Sequence, residues 1–406
     1  MASIKPFSAL RPKPELADRV ASRPYDVLNS EEARTEAKDN PFSFLHVTKS
    51  EIDLSPEIDI HSTAVYEKAM ENLQELIKHG ILFREEKDCY YIYQLIMNGR
   101  SQTGLVCVSS VEDYFNNIIK KHEYTRPEKE KDRIDHMRTI EAQTGNVFLA
   151  YRDVMEINAI INGWKMTNKP VYDFTAADGI QHSIWIIDRD IVVNSITQLF
   201  STHVPATYIA DGHHRAASAA KVSKVLSDSY SAKYFLTTIF PESQLAILDY
   251  NRVVKDLNGL TPEKLLALLQ DDFYITLSPE PVKPSQLHEF GMYLEGQWYI
   301  LTSRQGTWSD DPIGVLDVTI LSNNILDKIF DIKDQRTDKR IDFVGGIRGL
   351  QELEKRVQSG EMKVAFSLYP VTLAQLFAIA DSGNVMPPKS TWFEPKLRDG
   401  LLTHLL

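Results

Sequence analysis

The chain has 406 residues, 43% of them apolar and 10% aromatic, enough for more than one buried core. Its formal net charge of -11 excludes a protein whose main task is gripping nucleic acid, because that needs a Lys/Arg surplus. Cys89 and Cys107 lie far apart with no CxxC pattern, which excludes a disulfide framework and a zinc knuckle. No apolar run reaches the roughly 18 residues of a membrane span, and Met1–Ser8 lacks the apolar core of a signal peptide, so a cytoplasmic protein without a membrane partner is expected.

Residues 1–40 are rich in Pro and charge and close on Ser22-Arg23-Pro24-Tyr25-Asp26-Val27, an extended segment read as a substrate lid with Arg23 and Asp26 as its polar ends. Residues 62–80 predict an amphipathic helix: Ser62 as cap, an apolar stripe through Val65, Ala69, Leu73, Leu76 and Ile77, and Gly80 as stop. Cys89–Met97 and Gln102–Ser109 predict a hairpin turned by Asn98-Gly99. Residues 111–145 are charged and predict mostly helix, and Val147–Tyr151 a strand.

A second hairpin is expected from Val171–Ala176 and His182–Ile187, then a helix over 190–200 and a strand over Thr207–Ala210. Phe235–Phe240 and Gln244–Asp249 read as paired strands around Pro241. Beyond Asn258-Gly259 come helices at 262–269, 318–330 and 346–359, and strands at 274–277, 298–302 and 363–368. Helices mixed with hairpins, without regular βαβ alternation, predict an α+β fold. The expected organisation is an N-terminal region over 1–100, a phosphate-binding core over 101–258 and a C-terminal region over 259–406.

Three constellations carry chemistry. In Tyr208-Ile209-Ala210-Asp211-Gly212-His213-His214-Arg215, followed by an Ala-rich segment, a strand runs into a helix start, where free amides and the positive helix end suit a phosphate. Gly212 lets the backbone approach a ligand, and Arg215 offers a planar fork for phosphate oxygens. Asp211 can cap the helix, bind a divalent cation or accept a proton. Adjacent helical histidines point about 100° apart, so only one of His213 and His214 faces the ligand. The bland alternative is an Asp cap with packing histidines.

The second constellation, Lys120-Lys121-His122-Glu123-Tyr124-Thr125-Arg126, sets one carboxylate among cations, which keeps it ionised and suits a general base or metal ligand. Glu128 with Asp132 and Lys129 with Arg133 are like-charged at i,i+4, a stripe that predicts an external anion rather than internal pairing. The third is the tail Pro387-Pro388-Lys389-Ser390-Thr391, continuing to Lys396, whose hydroxyls and lysines could close over a phosphate. No Gly-x-Ser-x-Gly elbow, Walker motif or His-Glu-x-x-His occurs.

Asp211-Gly212-His213-His214-Arg215 resembles the phosphate-binding box of the ParB/sulfiredoxin-like superfamily. With Arg23-Pro24-Tyr25-Asp26, Asn40-Pro41-Phe42-Ser43-Phe44-Leu45, Lys120–Glu123 and Met386–Thr391, the chain is similar to the domain-of-unknown-function 1015 family over nearly its whole length. The resemblance implies a ParB/sulfiredoxin-like mixed core with additional N- and C-terminal α/β regions. His213 stands where sulfiredoxins place a cysteine, which removes thiol chemistry. Free-serine kinases carry the same box and an upstream essential Glu.

The implied function is a nucleotide-dependent phosphotransferase acting on a small hydroxyl compound such as serine or phosphoserine, using ATP or ADP with Mg²⁺. Glu123 and Asp211 would be catalytic, with Asp211 also the metal ligand. Gly212, His213, His214, Arg215, Lys121 and Arg126 would hold the nucleotide phosphates. His122, Arg23, Lys389, Ser390 and Thr391 would contact substrate. The alternatives are a phosphoserine-type phosphatase and a nucleotide-binding regulatory module.

Overall fold

In the computed structural model, which describes residues 1–125 and 127–406, Asn98 and Gly99 turn the chain at φ of 51° and 77°. Two consecutive positive-φ residues match the right-handed twist of the flanking strands, so Tyr90–Met97 folds back on Arg100–Ser110 with Met97 opposite Arg100. This hairpin lies within a nine-stranded mixed sheet. From one edge its order is Ile119–Lys120, Thr207–Asp211, Val147–Tyr151, Tyr234–Pro241, Arg100–Ser110, Tyr90–Met97, Gln181–Ile187 and Tyr172–Thr175. Ile4–Lys5 adds to Arg100–Ser110. The architecture is α+β, as expected.

The chain forms two compact units, Met1–Leu245 with Pro395–Leu406, and Ala246–Glu394. The expected boundary between residues 100 and 101 falls inside the Asn98-Gly99 hairpin, so those regions share one sheet. The expected strand pair around Pro241 does not form. Tyr234–Pro241 runs parallel to Val147–Tyr151 and antiparallel to Arg100–Ser110. Ile247–Leu248 pairs instead with Trp392–Phe393 inside the second unit. A short helical turn over Glu242–Gln244 follows Pro241 and replaces a hairpin turn.

Helix Thr63–Lys78 buries Val65, Ala69, Leu73 and Leu76 as the stripe predicts, but leaves its last member, Ile77, exposed. Ser62 precedes it without capping it, and its buried hydroxyl has no hydrogen-bond partner among the described residues. The charged stretch 111–145 is broken by the edge strand Ile119–Lys120 between helices Val111–Phe115 and Pro127–Ile140. Helix His213–Val225 packs Ala216, Ala219, Ala220 and Val222 into the main core beside Ile209, Leu149 and Phe235.

The second unit is a six-stranded antiparallel sheet ordered Phe273–Ser278, Gln297–Ser303, Glu289–Leu294, Val364–Leu368, Tyr250–Val254, Ile341–Gly345. Helix Pro262–Leu269 begins on Thr261, whose hydroxyl accepts from the Lys264 amide. Glu289–Leu294 was not anticipated, because Gly291 interrupts its pattern. The glycine is needed, since a Cβ there would collide with Ser367 Oγ.

Candidate active site

Strand direction assembles the site. Ile119–Lys120 pairs parallel with Thr207–Asp211, Lys120 opposite Tyr208. The two chains therefore leave the sheet side by side in the same direction. His122-Glu123 emerges next to Asp211-Gly212-His213, although about ninety residues separate them. A register shift between Ile209 and Asp211 against Val147–Tyr151 places an irregularity at Ala210. Such bulges re-aim the next side chain beside functional sites, here Asp211.

Gly212 takes the turn at φ 93°, in the left-handed region open to glycine, and helix His213–Val225 starts without a side-chain cap. Asp211 therefore does not cap it, and the first-turn amides open toward the Gly212 turn. The ring of His213 meets that of His122 edge to face, with centroids 4.5 Å apart. Both are buried, and among the described residues His122 Nδ1 and His213 Nε2 have no hydrogen-bond partner. Burial pushes His122 down to about 4 and holds His213 well below the ordinary histidine range, so both rings are neutral at neutral pH. Glu123 is exposed, its carboxylate 3.8 Å from His213 Nδ1. His214 is half-exposed; burial would raise the Glu130 carboxyl, but Lys221, Thr125 and then His214 outweigh it and hold it below its ordinary value. Of the two histidines, His213 is the one shown beside His122 and Glu123.

Asp211 Oδ2 lies 3.4 Å from both Lys396 Nζ and Arg215 Nη2. Burial would raise its carboxyl, but Lys396 and then Arg215 outweigh that and hold it below the usual carboxylate range. Arg215, expected to grip phosphate, is buried and faces inward. It donates to the Asn146 carbonyl, to Asp26 at 3.3 Å and to Asp211. Gly145 makes room for it, since a Cβ there would stand 3.2 Å from Arg215 Cδ.

The motif around Tyr25 now has a structural account. Asp26 anchors Arg215, and Arg133 stacks 3.9 Å over the Tyr25 ring. Arg23 turns to Glu36 at 2.5 Å and is not a lid residue beside Asp26. Lys121 donates to the Tyr114 carbonyl at 2.7 Å and lies over that ring, its pKa lowered by burial. Arg126 lies outside the described residues.

Charges on helix Pro127–Ile140 are paired within the protein, some inside the helix and one across to another. Arg133 binds Asp132 at 2.6 Å, Lys131 binds Asp135 at 2.5 Å, and Lys221 pairs with Glu130. The like-charge spacing misled because Arg133 takes the adjacent Asp132, Lys131 takes Asp135 one turn on, and Glu130 takes Lys221 from another helix. Lys389, Ser390 and Thr391 belong to the second unit. There Ser390 Oγ donates to the Pro387 carbonyl, and Lys389 lies 5.7 Å from the Tyr250 ring. Of the tail, Lys396 is the member placed at Asp211.

Mg²⁺ takes oxygen donors, commonly one or two carboxylates plus phosphate oxygens and waters. Asp211 and Glu123 supply that donor type at this edge. Among the described residues no three His, Cys, Asp or Glu side chains cluster as a ready cage. The residues fit a cation brought in on phosphates and not a dedicated metal centre.

The profile of the family described as "Protein of unknown function (DUF1015)" matches residues 4–319. The chain belongs to this family. A sequence search of curated proteins returns no match. Among solved structures, a free serine kinase in complex with AMP shares 13% identity over 74% of this DUF1015 chain and 92% of that one, at a TM-score of 0.37. A conserved hypothetical protein from Pyrococcus furiosus shares 14% identity over 74% and 94%, at 0.36. C-terminally truncated SbnI from Staphylococcus aureus shares 12% over 74% and 87%, at 0.33. Each is a distant likeness in general fold alone.

Proposed function

We propose that the protein is a nucleotide-dependent phosphotransferase acting on a small hydroxyl compound, with serine and phosphoserine as the first candidates. The observation that carries this reading is the parallel pairing of Ile119–Lys120 with Thr207–Asp211, which sets an exposed carboxylate, Glu123, beside an uncapped helix start. Glu123 takes the acceptor's hydroxyl proton, a contribution typically of about 10²–10⁴ in rate. The Gly212–His214 amides, with Lys396, receive phosphate oxygens and the charge that develops on them. Arg215 works through Asp211, fixing the carboxylate from behind. A bound Mg²⁺, held by Asp211, would neutralise phosphate charge. His213, neutral and 3.8 Å from Glu123, helps hold the base without competing for its proton.

The test is incubation of the purified protein with Mg²⁺, ATP or ADP, and either serine or phosphoserine. Phosphoserine formed or consumed only with nucleotide supports the reading. Phosphate released from phosphoserine without nucleotide would replace it with a phosphatase, and nucleotide binding without product would replace it with a regulatory module. Glu123→Gln is expected to lower transfer at least about 10²-fold while nucleotide still binds in calorimetry. Undiminished turnover by that variant would remove Glu123 from its role.

A further inference from the structure

The strand Tyr250–Val254 of the second unit carries a fully buried charge, Arg252, opposite Phe343 on one neighbouring strand and Phe366 on the other. The guanidinium donates to the Tyr250 carbonyl and, at 3.2 Å, to the Pro388 carbonyl, and its Cζ lies 5.0 Å from the Phe343 ring centroid. Among the described residues its Nε has no hydrogen-bond partner and no carboxylate pairs with it. Burial pulls its pKa down to about 10, with Tyr250 resisting. A cation taken out of water is costly unless an opposite charge neutralises it. Two peptide carbonyls and an aromatic face supply no such charge.

What covers this charge is the segment Met386-Pro387-Pro388-Lys389-Ser390-Thr391, of the same unit. Arg252 Nη2 holds its Pro388 carbonyl at the long end of the N–H···O range. Pro387 and Pro388 have no backbone N–H, so two successive amides of the cover cannot tie it down. Lys389 takes φ 59°, a left-handed conformation that a residue with a Cβ rarely adopts. That turn sets the exposed Lys389 ammonium 5.7 Å from the Tyr250 ring centroid, and Arg252 Cζ lies 5.9 Å from the same centroid. Two cations thus share one ring, one beneath the cover and one on it. Neither forms an ion pair among the described residues.

We infer that Arg252 and Lys389 form a phosphate-binding site within the second unit, whose cover over 386–391 lifts to admit the anion and recloses with Lys389 on it. The phosphate takes the place of the Pro388 carbonyl on the guanidinium. Two cations match a phosphate near its dianionic charge, where a carboxylate would neutralise only one of them. The planar guanidinium presents paired N–H groups, Nε among them, to two phosphate oxygens. The occupant is inorganic phosphate or the phosphate group of a small ester. The site shares no residue with the Asp211–Arg215 junction and stands independently of the phosphotransferase reading.

The experiment uses the full chain, with inorganic phosphate, glycerol phosphate and acetate as separate probes. Equilibrium dialysis gives affinity and number of sites, and hydrogen exchange over residues 386–391 gives a readout local to the cover. Phosphate should slow exchange there in wild type and leave it unchanged in Arg252→Met. At this site Arg252→Met should bind phosphate about tenfold more weakly, the loss of charge-assisted bonds. Without phosphate its unfolding midpoint should equal or exceed that of wild type, because an unneutralised buried charge is gone. Arg252→Lys, which keeps the charge but loses the fork, should recover only part of the affinity. Circular dichroism checks folding. If Arg252→Met is unfolded, Lys389→Met at its exposed position carries the test, with about threefold weaker binding expected. Dialysis and exchange results identical in wild type and both Met variants would overturn the inference. Acetate slowing exchange as well as phosphate at equal concentration would overturn phosphate as the occupant. Tighter binding of glycerol phosphate supports an ester as its source, and tighter binding of inorganic phosphate supports the free ion.

Discussion

Asp399 is buried in the returning C-terminal segment, with Oδ2 lacking a hydrogen-bond partner among the described residues and the Arg215 guanidinium among its neighbours. Burial pushes its carboxyl up to about 7, although Arg215 pulls the other way. An unfolded aspartate titrates near 3.9, so the folded chain holds this proton where the unfolded chain has lost it. The associated stability is complete below about pH 4 and is lost as pH rises through about 7. Asp399→Asn should therefore flatten that decline. The gap between unfolding midpoints at pH 4.5 and 7.5 should be smaller in the variant than in wild type, and an equal gap would show that Asp399 ionises normally. His122 acts in the opposite sense. Its depressed folded value makes stability fall as pH drops from about 6.5 toward 4, so His122 and Asp399 pull the pH of greatest stability in opposite directions.

At the level of elements, small residues set the close approaches that shape the site. Gly104 lies in strand Arg100–Ser110 where a Cβ would stand 2.7 Å from the Phe240 ring, which itself packs on Phe148 with centroids 4.4 Å apart. Gly104→Ala should cost about 1–3 kcal/mol as overpacking, and Gly104→Ala with Phe240→Leu should recover part of it in denaturant unfolding. What the sequence made legible follows the range of the signal. Asn98-Gly99, the stripe from Val65 to Leu76 and the Asp211–Arg215 junction act over a few residues and were readable. The inward turn of Arg215 was not, because its partners Asp26 and Asn146 come from distant segments. Nor was the strand Glu289–Leu294, where a glycine demanded by Ser367 across the sheet resembles a loop signal. The pairing of His122 with His213 needed one further fact, the parallel direction of two edge strands.

Considered as a whole, the second unit is an insertion into the first, spanning Ala246–Glu394. Its two connections run antiparallel, Ile247 opposite Phe393 and Leu248 opposite Trp392, so exit and re-entry lie about one strand spacing apart. Replacing residues 246–394 with a short Gly/Ser linker should therefore leave a first unit that folds and keeps the affinity of the Gly212 site for tripolyphosphate. An excised chain without cooperative unfolding would show that the first unit depends on the insertion. The same route through the chain bears on synthesis at the ribosome. Asp211 and Arg215 are made early, but the second cation on Asp211 is residue 396, and the strand that closes the sheet pair with Ala142–Gln143 comes later still. Nascent chain must wait through the whole insertion before this pocket acquires its last charge, so an incomplete translation product cannot present a finished site.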